Sequence, residues 1–165
     1  MIMKALRERT RASHGRIEAC IDLPTRVQSL KSYRQLLGDL LGYYEPLEIQ
    51  LVRFTQPDFD FAALPQCNKP PDLTNFAQAL GCLYVLEGAT LGGQIIARQL
   101  RQSFNFDAQY GAAFFNGYGA QTAEKWKTFG AALTFYATSS ELEDTIIQAA
   151  DETFLTLEQW LVRRD

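Results

Sequence analysis

The chain has 165 residues, of which 47% are apolar and 21% charged, and these are the proportions of an ordinary globular domain rather than of a disordered or collagen-like chain. A net charge of −3 argues against a broad nucleic-acid-binding face. No apolar run reaches the roughly 18 to 20 residues of a membrane-spanning helix, so neither a nucleic acid nor a membrane is expected as a partner. The length predicts a single domain over residues 1–165.

The charged and sulfur-containing residues favour a cytoplasmic protein. Basic residues are spread through the first 20 positions and leave no apolar core of the kind that a secretory signal needs, so no such signal is expected. Cys20, Cys67 and Cys82 are widely spaced and form no CxxC pair, so a disulfide framework and a structural zinc site are both disfavoured. The single histidine, His14, excludes a metal site built from several histidines.

The first half of the chain reads as helical. Apolar residues at helical spacing predict a first helix over residues 3 to about 21. Thr25 and Ser32 each begin a capping-box pattern with glutamine three residues later, and the second box opens a long apolar-periodic helix. Pro46 fits either a kink in that helix or the first turn of a new one.

The second half of the chain is also predicted to be helical. Residues 55–72 are rich in proline and predict a surface loop, with Asp72 as the cap of a helix over about 73–102. The remaining elements are a loop with one short helical piece over residues 103–119, a helix over about 120–138, and a last helix that begins with a capping box at Ser140. Few segments alternate with period two, so we expect a compact all-α domain of six to eight helices.

Polar side chains form a stripe on the first predicted helix. Arg7, Arg11, His14 and Glu18 fall within about 100° of one another around a helix. Glu18 is four residues after His14 and can reach one ring nitrogen, which leaves the other nitrogen free for a metal. The arginines would place two cations close enough to pair with carboxylates on the same ligand. The alternative is that His14 is an ordinary surface or core histidine.

Four glycines lie inside the helix predicted over 73–102. Gly81, Gly88, Gly92 and Gly93 each cost about 1 kcal/mol relative to alanine in a helix interior, and such a conflict with propensity often marks function. The first three share a face on which a large flat ligand could lie against the backbone, and glycines also permit a bend. The alternative is close packing of two helices. No strand precedes these glycines and no Lys-Ser/Thr pair follows them, so they do not form a phosphate loop.

Other candidate residues have structural interpretations. Glu87 is expected to be a solvated or inter-helix carboxylate that points away from Ala89. Trp126 and Phe129 are expected to be core residues rather than the wall of a cofactor site. Cys82 lies in an apolar run and is expected to be a small buried residue.

Three segments together resemble the haem oxygenase family and, within it, the bacterial branch that produces biliverdin. They read LRERTRASHGRIE, SYRQLLGDLLGYYEPLE and YVLEGATLGGQII, in that order. The likeness covers most of the first hundred residues and is weaker afterwards. It implies the haem oxygenase fold, in which haem is sandwiched between the N-terminal helix and a distal helix kinked at its glycines.

The resemblance also implies a role for each candidate residue. His14 would be the axial ligand of the haem iron, and Glu18 would be its hydrogen-bonding partner. Arg7 and Arg11 match positions where the family keeps basic residues near the haem propionates. The distal glycines that act in catalysis would be Gly88, Gly92 and Gly93.

The activity implied is oxidative cleavage of haem to biliverdin, carbon monoxide and ferrous iron. Haem is then both substrate and cofactor, dioxygen is the oxidant, and a flavodoxin- or ferredoxin-type system supplies electrons. Two uses follow, namely release of iron and supply of biliverdin to a bacteriophytochrome.

One position departs from part of the family and keeps other functions open. Animal enzymes carry an aspartate directly after the first distal glycine, where this chain has Ala89. A haem-binding or haem-transfer protein without turnover is therefore an alternative. A third is a helical interaction module that binds no haem and uses its glycines only for packing.

Overall fold

The computed structural model describes residues 1–21, 26–54 and 70–162, and its regular elements there are helical apart from one isolated bridge between Asp107 and Gly111. The all-α prediction is confirmed. The expected capping box at Thr25 and most of the loop at 55–72 lie outside the described residues. The α-helices are α1 (Ile2–Arg9), α2 (Arg11–Cys20), α3 (Leu30–Leu51), α4 (Phe76–Phe104), α5 (Ala113–Asn116), α6 (Thr122–Tyr136) and α7 (Ser140–Val162), with 3₁₀ turns at Val52–Phe54 and Gly119–Gln121.

The first predicted helix is two helices, because it is interrupted at Thr10. This residue is buried and its hydroxyl donates a 2.8 Å hydrogen bond to the carbonyl oxygen of Leu6. A threonine that bonds back to the preceding turn in this way loosens and bends a helix. The hydrophobic pattern continues across the interruption, which is why the sequence predicts one helix.

Helix α3 begins earlier than the sequence predicts. Ser29 is its N-cap, and the hydroxyl of Ser29 accepts a 3.1 Å hydrogen bond from the backbone N–H of Ser32. The hydroxyl of Ser32 in turn accepts from the N–H of Ser29 at 3.0 Å, so Ser32 is the second member of the box rather than the cap. Pro46 lies inside α3, which continues to Leu51.

The caps of α4 and α7 are also shifted from their predicted residues. Asn75 rather than Asp72 caps α4, and its side chain accepts a 2.9 Å hydrogen bond from the N–H of Gln78. Ser139 rather than Ser140 caps α7, and its hydroxyl accepts from the N–H of Leu142 at 3.2 Å. Both corrections have the same cause, since several residues near each start can cap and the cap used depends on how the loop enters the helix.

Helix α7 is the hub of the fold, because α1, α2, α3 and α4 all pack against it. The hydroxyl of Tyr43 on α3 donates a 2.7 Å hydrogen bond to the carbonyl oxygen of Thr153. The indole N–H of Trp160 donates to the carbonyl oxygen of Asp39 at 2.6 Å. The order of these two contacts along the chain shows that α3 and α7 are antiparallel. Helix α3 covers one side of α7, while α2 and α4 pack against other sides.

Helix α4 is, within the described residues, the one helix long and apolar enough to cross a membrane by length and composition. The core helix of a globular protein satisfies the same criterion. In this structure α4 packs against α5, α6 and α7. Its apolar composition is therefore explained by its central position.

Candidate functional site

His14 lies on α2 with its ring at the protein surface. Its side chain is 56% exposed. One edge of the ring meets the buried ring of Phe154 on α7, with centroids 5.7 Å apart and planes at 76°. His14 is therefore held against the core from one side, while its ring remains accessible to a ligand from the other.

Glu18 lies beside His14, as the four-residue spacing predicts. The distance from His14 Nδ1 to Glu18 Oε2 is 3.6 Å. This is within ion-pair range but longer than a hydrogen bond. Both side chains are more than half exposed, so this contact by itself holds the imidazole weakly.

The two arginines of the stripe lie on either side of the break at Thr10, and both are exposed. Arg7 is near Tyr84 of α4, and its positive charge favours the ionised form of the tyrosine. Burial nevertheless dominates and raises the pKa of Tyr84, whose hydroxyl also hydrogen-bonds with Thr10. Arg11 makes no ion pair with any residue that the structure describes. The α1–α2 junction thus touches α4 one turn before Gly88.

The glycines of α4 do not form one ligand-facing surface, although the sequence predicts that Gly81, Gly88 and Gly92 share a face. A Cβ at Gly81 would overlap the carbonyl oxygen of Ile146 on α7, and a Cβ at Gly93 would lie 2.6 Å from the carbonyl oxygen of Phe115. These two glycines therefore allow close packing of helices, which was the alternative interpretation. Helix α4 continues without interruption through all of its glycines.

Gly92 is the glycine of α4 that faces open space. A Cβ added there would meet no atom within 4 Å. Exposed small or apolar residues lie near it along the helix, namely Ala89, Leu91 at 39% exposure and Ile95 at 59%. Exposed apolar side chains next to bare helix backbone form a surface on which an apolar flat molecule can lie.

Gly88 lies beneath an aromatic wall that the sequence analysis did not assign to the site. A Cβ at Gly88 would lie 3.5 Å from Cη2 of Trp126 on α6. The Trp126 ring stacks on Phe129, with centroids 5.7 Å apart, and meets the ring of Tyr84 at 5.5 Å. Trp126 is only partly buried, so it does not fill the core, and it covers Gly88 one turn before Gly92.

A polar network joins α1 and α2 to α7, and the sequence analysis also missed it. The hydroxyl of Ser13 donates a hydrogen bond to the carboxylate of Asp151. The guanidinium of Arg16 donates to Ser13 at 3.2 Å and to Glu158 at 2.7 Å, and the contact with Glu158 raises the pKa of Arg16. A further link joins Arg9 to Asp144 at 2.8 Å. The sequence contains a sign of this network. Its three acidic residues, Asp144, Asp151 and Glu158, recur every seven residues and therefore lie along one face of α7.

Glu87 contacts the segment after α5, in agreement with the inter-helix carboxylate that was one of its two expected environments. One carboxylate oxygen accepts a 2.9 Å hydrogen bond from the hydroxyl of Tyr118. Burial, together with Glu87, raises the pKa of Tyr118 to about 12. Glu87 therefore holds the segment after α5 against α4.

Among the described residues, no group of three or more histidine, cysteine or acidic side chains could hold a bare metal ion. An iron that arrives within its own macrocycle needs only one ligand from the protein, and His14 can provide it.

Comparison with known families gives one match. The family model described as Heme oxygenase matches residues 57–163, which include the glycines of α4, Trp126 and Phe154. The match begins after the helix that carries His14. No curated protein and no solved structure matches the chain. Since more than half of the chain fits this family model and the fold is all-α, the chain belongs to the haem oxygenase family.

Proposed function

We propose that this protein cleaves haem oxidatively to biliverdin, carbon monoxide and ferrous iron, with His14 as the axial ligand of the iron. The observation that carries this proposal is the surface position of His14, the one histidine in a chain of this family. A histidine satisfied within the core would have contradicted it. The N-terminal helix and α4 would then enclose the haem, within a single domain over residues 1–165.

The residues present fit haem on three grounds. His14 has an accessible ring with Glu18 near Nδ1, so Nε2 is the nitrogen free for iron. Arg11 is exposed and without an ion-pair partner among the described residues, so its guanidinium can pair with a propionate. The surface around Gly92 is open and carries exposed apolar side chains, which suits one face of a porphyrin.

The chain's own groups bind and orient the substrate. When bound, haem supplies the iron at which dioxygen reacts and the ring that is oxidised, with electrons from an external donor. His14 holds the iron from one side. Gly92 lets the opposite face approach the backbone of α4 closely, because no side chain intervenes. Trp126 limits how far the ring can move toward Gly88.

A haem-binding or haem-transfer protein without turnover is a second candidate, and a specific observation favours it. Ala89 offers no polar side chain, and the unbroken course of α4 keeps the carbonyl groups of its glycine segment in the helical pattern. The side chain of Thr90 already donates to the carbonyl oxygen of Glu87 at 2.6 Å. The site therefore shows few groups that could hold a water molecule for proton delivery.

One optical experiment distinguishes these functions. Haemin is added to the purified protein in equal amount, and ascorbate is then added in air. Enzymatic turnover predicts a Soret band that decays into the broad red absorbance of biliverdin, whereas a carrier predicts a Soret band that persists. His14→Ala should change the spectrum of the complex. Gly15→Ala is the matched control, because this neighbouring position faces open space. A spectrum that stays that of free haemin when the unaltered protein is present would favour an interaction module without haem.

The proposed electron donor and biological use can be tested with the same absorbance change. We propose a flavodoxin- or ferredoxin-type donor in the cytoplasm and, as one use of the product, biliverdin supply to a bacteriophytochrome. Faster turnover with ferredoxin, its reductase and NADPH than with ascorbate would support the donor. Transfer of the product to an apo-bacteriophytochrome, seen as its far-red absorbance, would support the acceptor.

A further inference from the structure

The side-chain contacts of His14 do not by themselves determine the direction of its ring. Glu18 is 3.6 Å from Nδ1 and is itself 70% exposed, so it can follow the imidazole as it moves. Phe154 supports one edge of the ring but offers no hydrogen bond. The direction in which the imidazole faces therefore depends on how the backbone of α2 is rotated about its axis.

Two residues of α2 are buried, Ile17 by apolar packing and Ser13, the immediate neighbour of His14, by a polar contact. The side chain of Ser13 is almost fully buried, at 5% exposure, and it donates a hydrogen bond to the carboxylate of Asp151 on α7. Adjacent side chains on a helix point about 100° apart. If Ser13 is held against α7, the direction of His14 is held as well.

Arg16 ties this contact to a second point on α7. Its guanidinium donates both to Ser13 at 3.2 Å and to Glu158 at 2.7 Å, so α2 is held by Asp151 and by Glu158, two turns further along α7. Phe154 lies between these two acidic residues on the same face of α7. One face of α7 thus carries both the polar contacts that fix α2 and the ring on which His14 rests.

We propose that Ser13 is a positioning residue for the axial ligand, and that its network with Asp151, Arg16 and Glu158 sets the orientation of His14 toward the iron. This inference rests on the proposed ligation of haem by His14. The sequence named Glu18 as the partner of the His14 ring. The structure adds Ser13 and α7 as a second support for His14.

The test compares Ser13→Ala and Ser13→Thr in the ferrous haem complex. Ser13→Ala should shift the iron–histidine stretching band in the resonance Raman spectrum and weaken haem binding about 3- to 10-fold, or about 0.7–1.4 kcal/mol, because only part of the lost hydrogen-bond energy acts through the orientation of His14. Ser13→Thr keeps the hydroxyl and should restore the band of the unaltered protein. A role in stability alone would lower the unfolding midpoint and leave this band in place.

Asp144→Ala is the matched control. It removes the exposed contact between Arg9 and α7, seven residues before Asp151, and should leave the iron–histidine band unchanged. If Ser13→Ala fails to fold, Asp151→Ala decides, because it removes the acceptor of the Ser13 hydroxyl and the Asp151 side chain is exposed, so its loss leaves no gap in the core. An unchanged band in Ser13→Ala, or in Asp151→Ala where that variant decides, overturns the inference while the proposed function stands. Absence of an iron–histidine band in the unaltered protein overturns both.

Discussion

The glycines of α4 give the sharpest test of how this helix is used, because two of them have opposite surroundings. Gly81 faces the backbone of α7, whereas Gly92 faces open space. We expect Gly81→Ala to destabilise the protein without haem, and Gly92→Ala to stabilise it while weakening the binding of haem. A set of glycines that all served packing, or all served the ligand, would not show this division.

The magnitude follows from the distances at each position. A Cβ at Gly81 would lie 2.8 Å from Cβ of Ala149 and overlap the carbonyl oxygen of Ile146. Carbon atoms pack at about 3.5–4.0 Å, so α4 and α7 would have to separate by at least about 0.7 Å. Overpacking of this kind costs about 1–3 kcal/mol, with the upper end expected because the obstacle is backbone. The higher helix propensity of alanine returns about 1 kcal/mol, so the net loss of unfolding free energy is about 2 kcal/mol.

Gly92→Ala gains the higher helix propensity of alanine and causes no steric overlap. Since no atom lies within 4 Å of the new methyl group, the unfolding free energy should rise by about 0.5–1 kcal/mol. The same methyl group lies on the surface proposed for haem, so it should weaken the binding of haem. In a titration followed at the Soret band, half-saturation should then require more haemin than with the unaltered protein. Gly38→Ala on α3 also faces open space and is the control, since it should stabilise the protein equally and leave haem binding unchanged.

Urea unfolding of the haem-free proteins, followed by circular dichroism at the helical minimum, measures these differences. The Gly81→Ala and Gly92→Ala midpoints should lie on opposite sides of the midpoint of the unaltered protein. Equal or greater stability of Gly81→Ala would refute the close approach of α4 and α7. Unchanged haem binding by Gly92→Ala would refute the placement of haem at this surface.

Three further predictions concern the pH dependence, the charge and the shape of the site. Burial raises the pKa of Cys82 to about 12, so as the pH rises this thiol ionises in the unfolded chain before it ionises in the folded protein. The free energy of unfolding should therefore fall as the pH rises above about 9. The difference between the urea midpoints at pH 8 and pH 9.5 should be smaller for Cys82→Ala than for the unaltered protein. Arg11→Gln should weaken haem binding about 2- to 10-fold in a haemin titration and make the binding less dependent on salt. The control is Arg101→Gln, at the end of α4, which should bind haem as the unaltered protein does. Trp126→Ala uncovers Gly88 and should change the distribution of biliverdin isomers separated by chromatography, and an unchanged distribution would place Trp126 outside the site.

Local patterns were sufficient for the elements and for one side of the site. Hydrophobic spacing predicts the long helices because each one buries a single face, and the short helix after α4 was also expected. The position of His14 beside Glu18 follows from spacing along one helix. The helix starts were displaced because several neighbouring polar residues can serve as caps.

The partners of each helix face could be read only from the tertiary structure. The sequence shows four glycines in α4 but not that α7 lies against Gly81, that Phe115 lies against Gly93, or that Gly92 is left open. It shows a serine before His14 but not the carboxylate that receives its hydroxyl.

The physical reason is the range of the interactions involved. Helix propensity and the spacing of side chains on one helix act within a few residues, so the sequence by itself determined the all-α class, the polar stripe that carries His14 and the glycine-rich helix. Close packing and hydrogen bonds between helices join residues far apart in the chain, such as Ser13 and Asp151, which are 138 positions apart. Only the arrangement of the helices around α7 decided which glycine can face a ligand and which residue holds His14 in place.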